Sequence, residues 1–183
     1  MANVIHRTQR DAAGCLIYRT SVNTPDYSTD DWVINPDLSG VEGVDCKYWK
    51  VTGSPPDGVV EEMTQGEKDA VDAAELAAAK TQRKIDLRQE GVDYFETRYS
   101  LFVQDMFASL HFDAFETGKT NRRAYLATYW NWRAQGAAHI NGKIESVDSQ
   151  TTIEDVNNVA INYTLLNTND PLCTLPAALA ITD

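Results

Sequence analysis

The stretch Thr64-Gln65-Gly66-Glu67-Lys68-Asp69-Ala70-Val71-Asp72-Ala73-Ala74-Glu75 heads a segment that continues to Phe115, and its reading decides the fold. Thr64 precedes Glu67 by three residues, the spacing at which each side chain satisfies the other's orphan backbone N–H at a helix start. Ala70, Ala73, Ala74, Ala77, Ala78 and Ala79 follow, and alanine loses least on entering a helix. Carboxylates come first (Glu61, Glu62, Glu67, Asp69, Asp72, Glu75) and Lys80, Arg83, Lys84 and Arg88 later, an order that suits the helix macrodipole. The pattern predicts a helix from Thr64 to about Glu90. One seam of it, Val71, Ala74, Ala78, Thr81, Ile85, Arg88 and Val92, steps alternately by three and four, a coiled-coil period with few large residues. Such a helix is marginal alone in water, so the seam implies a partner helix from this chain or another copy.

Past Gly91 the character changes. Phe95, Tyr99, Phe102, Val103, Met106, Phe107 and Leu110 form a wide apolar stripe, which predicts a second helix from Val92 to about Phe115 with a core face. Gly118 can take the left-handed conformation that ends it. A third helix is expected from about Asn121 to Asn141, with Leu126, Tyr129, Trp130, Ala134, Ala137 and Ile140 on one side. The short connection at Gly118 makes these two an antiparallel hairpin with an aromatic core. Thr152 caps a further short helix from Ile153 to about Ile161, and an apolar tail runs from Leu172 to Ile181. Pro176 blocks a continuous helix there, and such a tail is expected to dock onto a neighbour.

Upstream of the helix the signals are strands and turns. Cys15–Thr20, Trp32–Ile34, Tyr48–Val51 and Gly58–Glu61 are short and rich in β-branched or aromatic residues. Thr24-Pro25-Asp26, Asn35-Pro36-Asp37 and Ser39-Gly40 separate them as turns. So much punctuation supports only a small β module that needs a neighbour. The expected fold is α+β: a β-rich module over 1–62, an Ala-rich spacer helix over 63–91, a helical bundle over 92–166 and an irregular apolar tail over 167–183.

The chain of 183 residues carries 16 Lys and Arg against 27 Asp and Glu, a formal charge of −11. That balance argues against a nucleic-acid partner, which needs clustered cations. No stretch approaches the roughly 20 apolar residues of a membrane span, and the N-terminus has no apolar run of a signal peptide. Cys15, Cys46 and Cys173 offer no C-x-x-C pair for zinc or redox work. Cys15 and Cys46 could pair if the N-terminal region brings them together, but buried free thiols are the expectation.

Candidate chemical sites are thin. Gly118-Lys119-Thr120 resembles the end of a phosphate loop, yet Asp113 stands where that loop needs glycine; a helix cap and turn is the reading preferred. His111, Asp113 and His139 are the only candidates for a metal or catalytic site, and they lack the spacing a helical metal site prefers. Asp26, Asp30, Asp31 and Asp37 crowd one region without the calcium-loop pattern. No cofactor, metal or catalytic group is therefore expected. In Trp130-Asn131-Trp132 one indole belongs to the core, and Trp132 is either an exposed contact for a partner or core filling. The interface candidates are Val71, Ala74, Ala78, Ile85, Trp132, Leu172 and Leu175.

Three stretches carry a resemblance: Ser21–Tyr27, Asp31–Ser39, and Lys47-Tyr48-Trp49-Lys50-Val51 leading into Val60–Ala74. Together they resemble the N-terminal part of tailed-phage virion proteins, in which a Tyr-Trp-Lys-Val strand and a turn precede a Met-Thr-Gln-x-Glu-Lys-Asp-Ala-Val-Asp helix start. The likeness covers about the first ninety residues; Gly66 stands where such helices more often carry Ala. It implies a structural component of a virion, assembled in the host cytoplasm in symmetric copies. The seam adds a homo-oligomer, a trimer before a dimer, whose partners are itself and other virion proteins. The division of labour along the chain favours a tail-associated fibre, adaptor or baseplate component. A capsid-surface decoration or head-fibre protein is the alternative, and a small metal- or ligand-binding enzyme is the rival class.

Overall fold

The computed structural model describes residues 2–21 and 31–181. Helix outweighs strand, 61% to 15%, so the chain is α+β with its strands at the N-terminal end. It divides into two compact units, Met1–Ala74 and Glu75–Asp183.

In the first unit, β1 (Ala2–Arg10) lies between β2 (Leu16–Ser21) and β3 (Trp32–Ile34) in an antiparallel sheet. Val4 faces Arg19 and Ile34 in register, and Ile5 faces Tyr18 and Val33. As the central strand, β1 buries Val4, Ile5 and His6 in succession, which explains why it lacks the alternating pattern of a half-buried strand. A hairpin of β4 (Trp49–Thr52) and β5 (Val59–Glu62) pairs Trp49 with Glu62 and Val51 with Val60. Ile5, Leu16, Val33, Val41 and Val60 form a small core, flanked by Leu38, Val44, Trp49 and Val51.

Arg10 ties the parts of this unit together. Its guanidinium donates to the carbonyl oxygens of Gly14, Lys47 and Trp49 at 2.5, 3.1 and 2.7 Å. The neighbours of two of those carbonyls are Cys15 and Cys46, whose Cα atoms stand 4.9 Å apart in a disulfide. The expectation of free thiols fails for this pair, because a single guanidinium gathers the two segments that carry them. Cys173 is free and buried.

Helix α1 (Gln65–Arg98) begins in the first unit and continues into the second. Its start is the reciprocal cap expected: Thr64 N donates to Glu67 Oε2 at 2.7 Å and Glu67 N to Thr64 Oγ1 at 3.4 Å. The first turns are fastened to the hairpin. Lys50 bridges Glu67 at 2.8 Å, Lys47 and the Tyr48 hydroxyl both reach Asp72, at 2.9 and 2.7 Å, and Lys68 pairs with Glu62. The Lys47 and Lys68 ammonium groups also lie over the Tyr48 ring.

α1 does not stop near Glu90, as the composition suggests, but runs to Arg98. Gly91 is buried inside it, and a Cβ there would come within 2.8 Å of the Ile140 side chain. The glycine serves a close approach rather than a break. The chain turns instead at Tyr99, and Ser100 caps α2 (Leu101–Glu116) by accepting from Val103 N at 3.4 Å. Gly118, at φ 69°, ends α2, and α3 (Thr120–Ser146) returns antiparallel to it. α3 passes Asn141-Gly142 because Ile140, Ile144 and the following Val147 continue its buried face. That burial outweighs the ~1 kcal/mol a mid-helix glycine costs.

The core of the second unit is aromatic: Phe95, Tyr99, Phe107, Tyr129 and Trp132 meet edge-on or tilted at centroid distances of 4.9–6.1 Å. Short helices α4 (Ile153–Asn158), α5 (Tyr163–Thr168) and α6 (Leu175–Ala180) close over it. Arg83 holds the connection before α5, donating to the Val159 carbonyl at 2.9 and 2.6 Å while pairing with Glu90 at 2.6 Å. Asp170, whose side chain is wholly buried, accepts from Arg98, from the Tyr99 hydroxyl at 2.7 Å and from Leu172 N at 2.8 Å. The apolar tail therefore packs on its own chain, with Cys173 and Ala178 buried. Pro176 sits in the first turn of α6, where its missing N–H is harmless.

Candidate functional site

The face of α1 that packs inward carries Leu76, Ala79, Leu87, Gly91 and Phe95. That set lies beside the three-and-four seam, not on it. Val71 is half-buried, Ala74, Ala78, Thr81 and Arg88 are exposed, and so are the large side chains Ile85 and Val92. Within the described chain the seam from Ala74 to Val92 is left uncovered.

The next helix repeats this arrangement. α2 turns Phe107 and Ala114 into the core and Val103 and Leu110 against it. Leu101, Asp105, Ala108, Phe112 and Phe115 step by four and three along its outer side, and all are exposed. Ile85, Val92, Leu101, Phe102, Phe112 and Phe115 leave between 48% and 66% of their surfaces uncovered. Phe102, grouped with the core stripe by its spacing, in fact points away from it. The missed signal is that α2 is apolar nearly all round, more than one buried face needs.

Where these surfaces meet lies a groove of about 440 Å³. Val92, Phe95, Leu101, Ile140 and Ile144 make its apolar lining, and Arg88, Glu96, Gln104 and Arg133 its polar edge. Gln104 is buried and spends its amide on the Tyr99 carbonyl at 2.7 Å. Arg133 lies over the Phe95 and Trp130 rings. Neither Arg88 nor Arg133 is within salt-bridge reach of a carboxylate among the described residues. The arrangement presents apolar surface and unneutralised cations to whatever enters.

Trp132 is not an exposed contact. It is 3% exposed, and its Nε1 donates to the Leu166 carbonyl at 2.9 Å in the core, so core filling is its role. Trp130 is the half-buried one. Leu175 is half-buried against the core, whereas Leu172 is two-thirds exposed. Asp37, His139 and Asp113 serve local structure. Asp37 accepts from Ser39 N at 2.9 Å, a bond that holds its carboxyl below the ordinary range. Asp26 and Asp30 lie outside the described residues. His139 Nε2 accepts from Asn162 N at 3.2 Å, and Asp113 faces Arg122 and Lys119 at 3.5 and 3.6 Å. Among the described residues, the group of three potential metal ligands within 4.8 Å of one another is Cys15, Asp45 and Cys46. There the two sulfurs are already bonded to each other. His111, Asp113 and His139 are not brought together in that way.

No family model, curated protein or solved structure matches the chain.

Proposed function

We propose that this chain is a structural component of a tailed-phage virion that acts through protein–protein assembly. Within that class we read it as a tail-associated fibre, adaptor or baseplate component, present as a homo-oligomer with a trimer favoured. The observation that carries the reading is the uncovered apolar seam on α1, continued on α2: a monomer gains nothing by leaving it in water, whereas an assembling subunit needs it. The resemblance supports it from the other end of the chain. Its Tyr-Trp-Lys-Val strand and its Glu-Lys-Asp-Ala-Val-Asp helix start are the two halves of one fastening, through Lys50–Glu67 and Tyr48–Asp72. Such a pattern carries architecture rather than chemistry, as a structural protein requires.

Quantitative mass spectrometry of purified virions tests the proposal. A few to a few dozen copies per particle is the outcome expected of a tail component. Hundreds would move the protein to the capsid surface, and absence from the particle would sink the reading. The rival class makes a separate demand: a stoichiometric metal in the purified protein, lost with alanine at His111 or His139 while the fold persists.

A further inference from the structure

We infer that the copies join by inserting the outer face of α2 from one chain into the groove beside Val92 of the next. This rests on the homo-oligomer reading above and names the contact it would use.

Three observations select a second copy as the occupant. The first is charge. The groove edge carries Arg88 and Arg133 against a single carboxylate, Glu96, and neither guanidinium is within salt-bridge reach of an acidic group among the described residues, in a chain whose formal charge is −11. α2 carries Asp105, Asp113 and Glu116 and no lysine or arginine; Asp105 and Glu116 are exposed, Glu116 next to Phe115, while Asp113 faces Arg122 and Lys119 and Arg123 of α3 lies over the Phe115 ring. A helix with an excess of carboxylates complements an apolar groove with an excess of guanidinium groups.

The second is area. The six exposed side chains of the seam and α2 together offer roughly 500 Å² of apolar surface. In a head-to-tail contact those side chains fall on both partners, so this is roughly half of the ~900 Å² of apolar surface that a standard interface buries over both, the size of a small interface. The third is separation. Phe112 and Phe115 lie about 12 and 17 Å along α2 beyond Gln104, which with Leu101 is what α2 itself contributes to the groove. One chain therefore cannot fill its own groove with the Phe112 and Phe115 end of this face, so the contact must join two chains. A head-to-tail contact of this kind generates a ring where its rotation closes.

Complementation between two variants tests the contact. Phe112→Asp with Phe115→Asp removes the inserting face and leaves the groove. Arg88→Glu with Val92→Glu spoils the groove and leaves the face. All four residues are exposed, so circular-dichroism melts should match the parent; should a double variant melt early, Phe112→Ser and Arg88→Glu alone carry the same expectation. By light scattering at tens of micromolar, the parent should be a trimer and each variant should associate at least about tenfold more weakly. Mixed one to one, the two variants should form a heterodimer and nothing larger, because only one productive contact remains. A parent of dimer mass with the same complementation would keep the contact, used reciprocally, and overturn the trimer. An oligomeric parent unaffected by either variant would overturn the contact and leave homo-oligomerisation standing. A monomeric parent, or a mixture that stays monomeric, would overturn the contact outright.

Discussion

Asp170 shows how one side chain fixes a helix end far away in sequence. Burial alone would raise its carboxyl, but the hydrogen bonds from Arg98, Tyr99 and Leu172 N outweigh that and hold it below its ordinary value of 3.8. The same contact works on the Tyr99 phenol, which burial and then the Asp170 bond push upward. A depressed carboxyl contributes stability that is complete above its unfolded value and is lost as pH falls through the folded one. Asp170→Asn should therefore cost about 2 kcal/mol near neutral pH, the worth of a hydrogen bond to a charged group. The gap between variant and parent should narrow as pH drops below about 4. Urea melts across that range check it; a gap that stays constant down to acid would show that the charge is not what matters. The phenol gives the opposite sign: its contribution is whole below pH 10, the ordinary tyrosine value, and is lost as pH rises through the higher folded value.

Helix α1 depends on its first turn in a way that pH can address. Glu67 is held at about 2, first by its bond to Lys50 and then by its bonds to Thr64. Its contribution to the helix start is full above its ordinary value of 4.5 and fades as pH falls toward about 2. Amide protection at Lys68–Asp72, taken relative to the free-peptide exchange rate at each pH, should fall over that window, and Glu67→Gln should produce the acid behaviour at neutral pH. Unchanged protection in the variant would mean that the hairpin contacts at Asp72 suffice. This start was legible in the sequence because a capping box is local, as was the α2–α3 hairpin at Gly118. The end of α1 was not. Gly91 reads as a breaker until Ile140, almost fifty residues on, is seen to press against it, and the true turn at Tyr99 is fixed by Asp170, 71 residues away. The central strand β1 was missed because burial on both faces erases alternation. The outer face of α2 was hidden because spacing alone assigned Phe102 to the core, and only the packing shows which side of an all-round apolar helix is spare.

At the scale of the molecule, the two units differ in what holds them. The first has a core of five buried aliphatic side chains, secured by Arg10, the fastening of α1 and the Cys15–Cys46 disulfide. The second has a large aromatic core and no disulfide among its described residues. So small a core rarely suffices unaided. The bridge spans a sequence separation of 31 residues, and closing a loop of that length in the unfolded chain is worth about 3–4 kcal/mol on the entropic account. Reduction should therefore weaken the first unit much more than the second. Hydrogen exchange resolved by segment, with and without a thiol reductant, separates the two. Protection in β1, β2 and β4 should fall by about two to three powers of ten, the rate equivalent of that energy, while α3 keeps its protection. Cys15→Ser should reproduce the effect without reductant. Equal loss in both units would show that they unfold as one, and no loss in either would show that Arg10 and the fastening of α1 hold the sheet without the bridge.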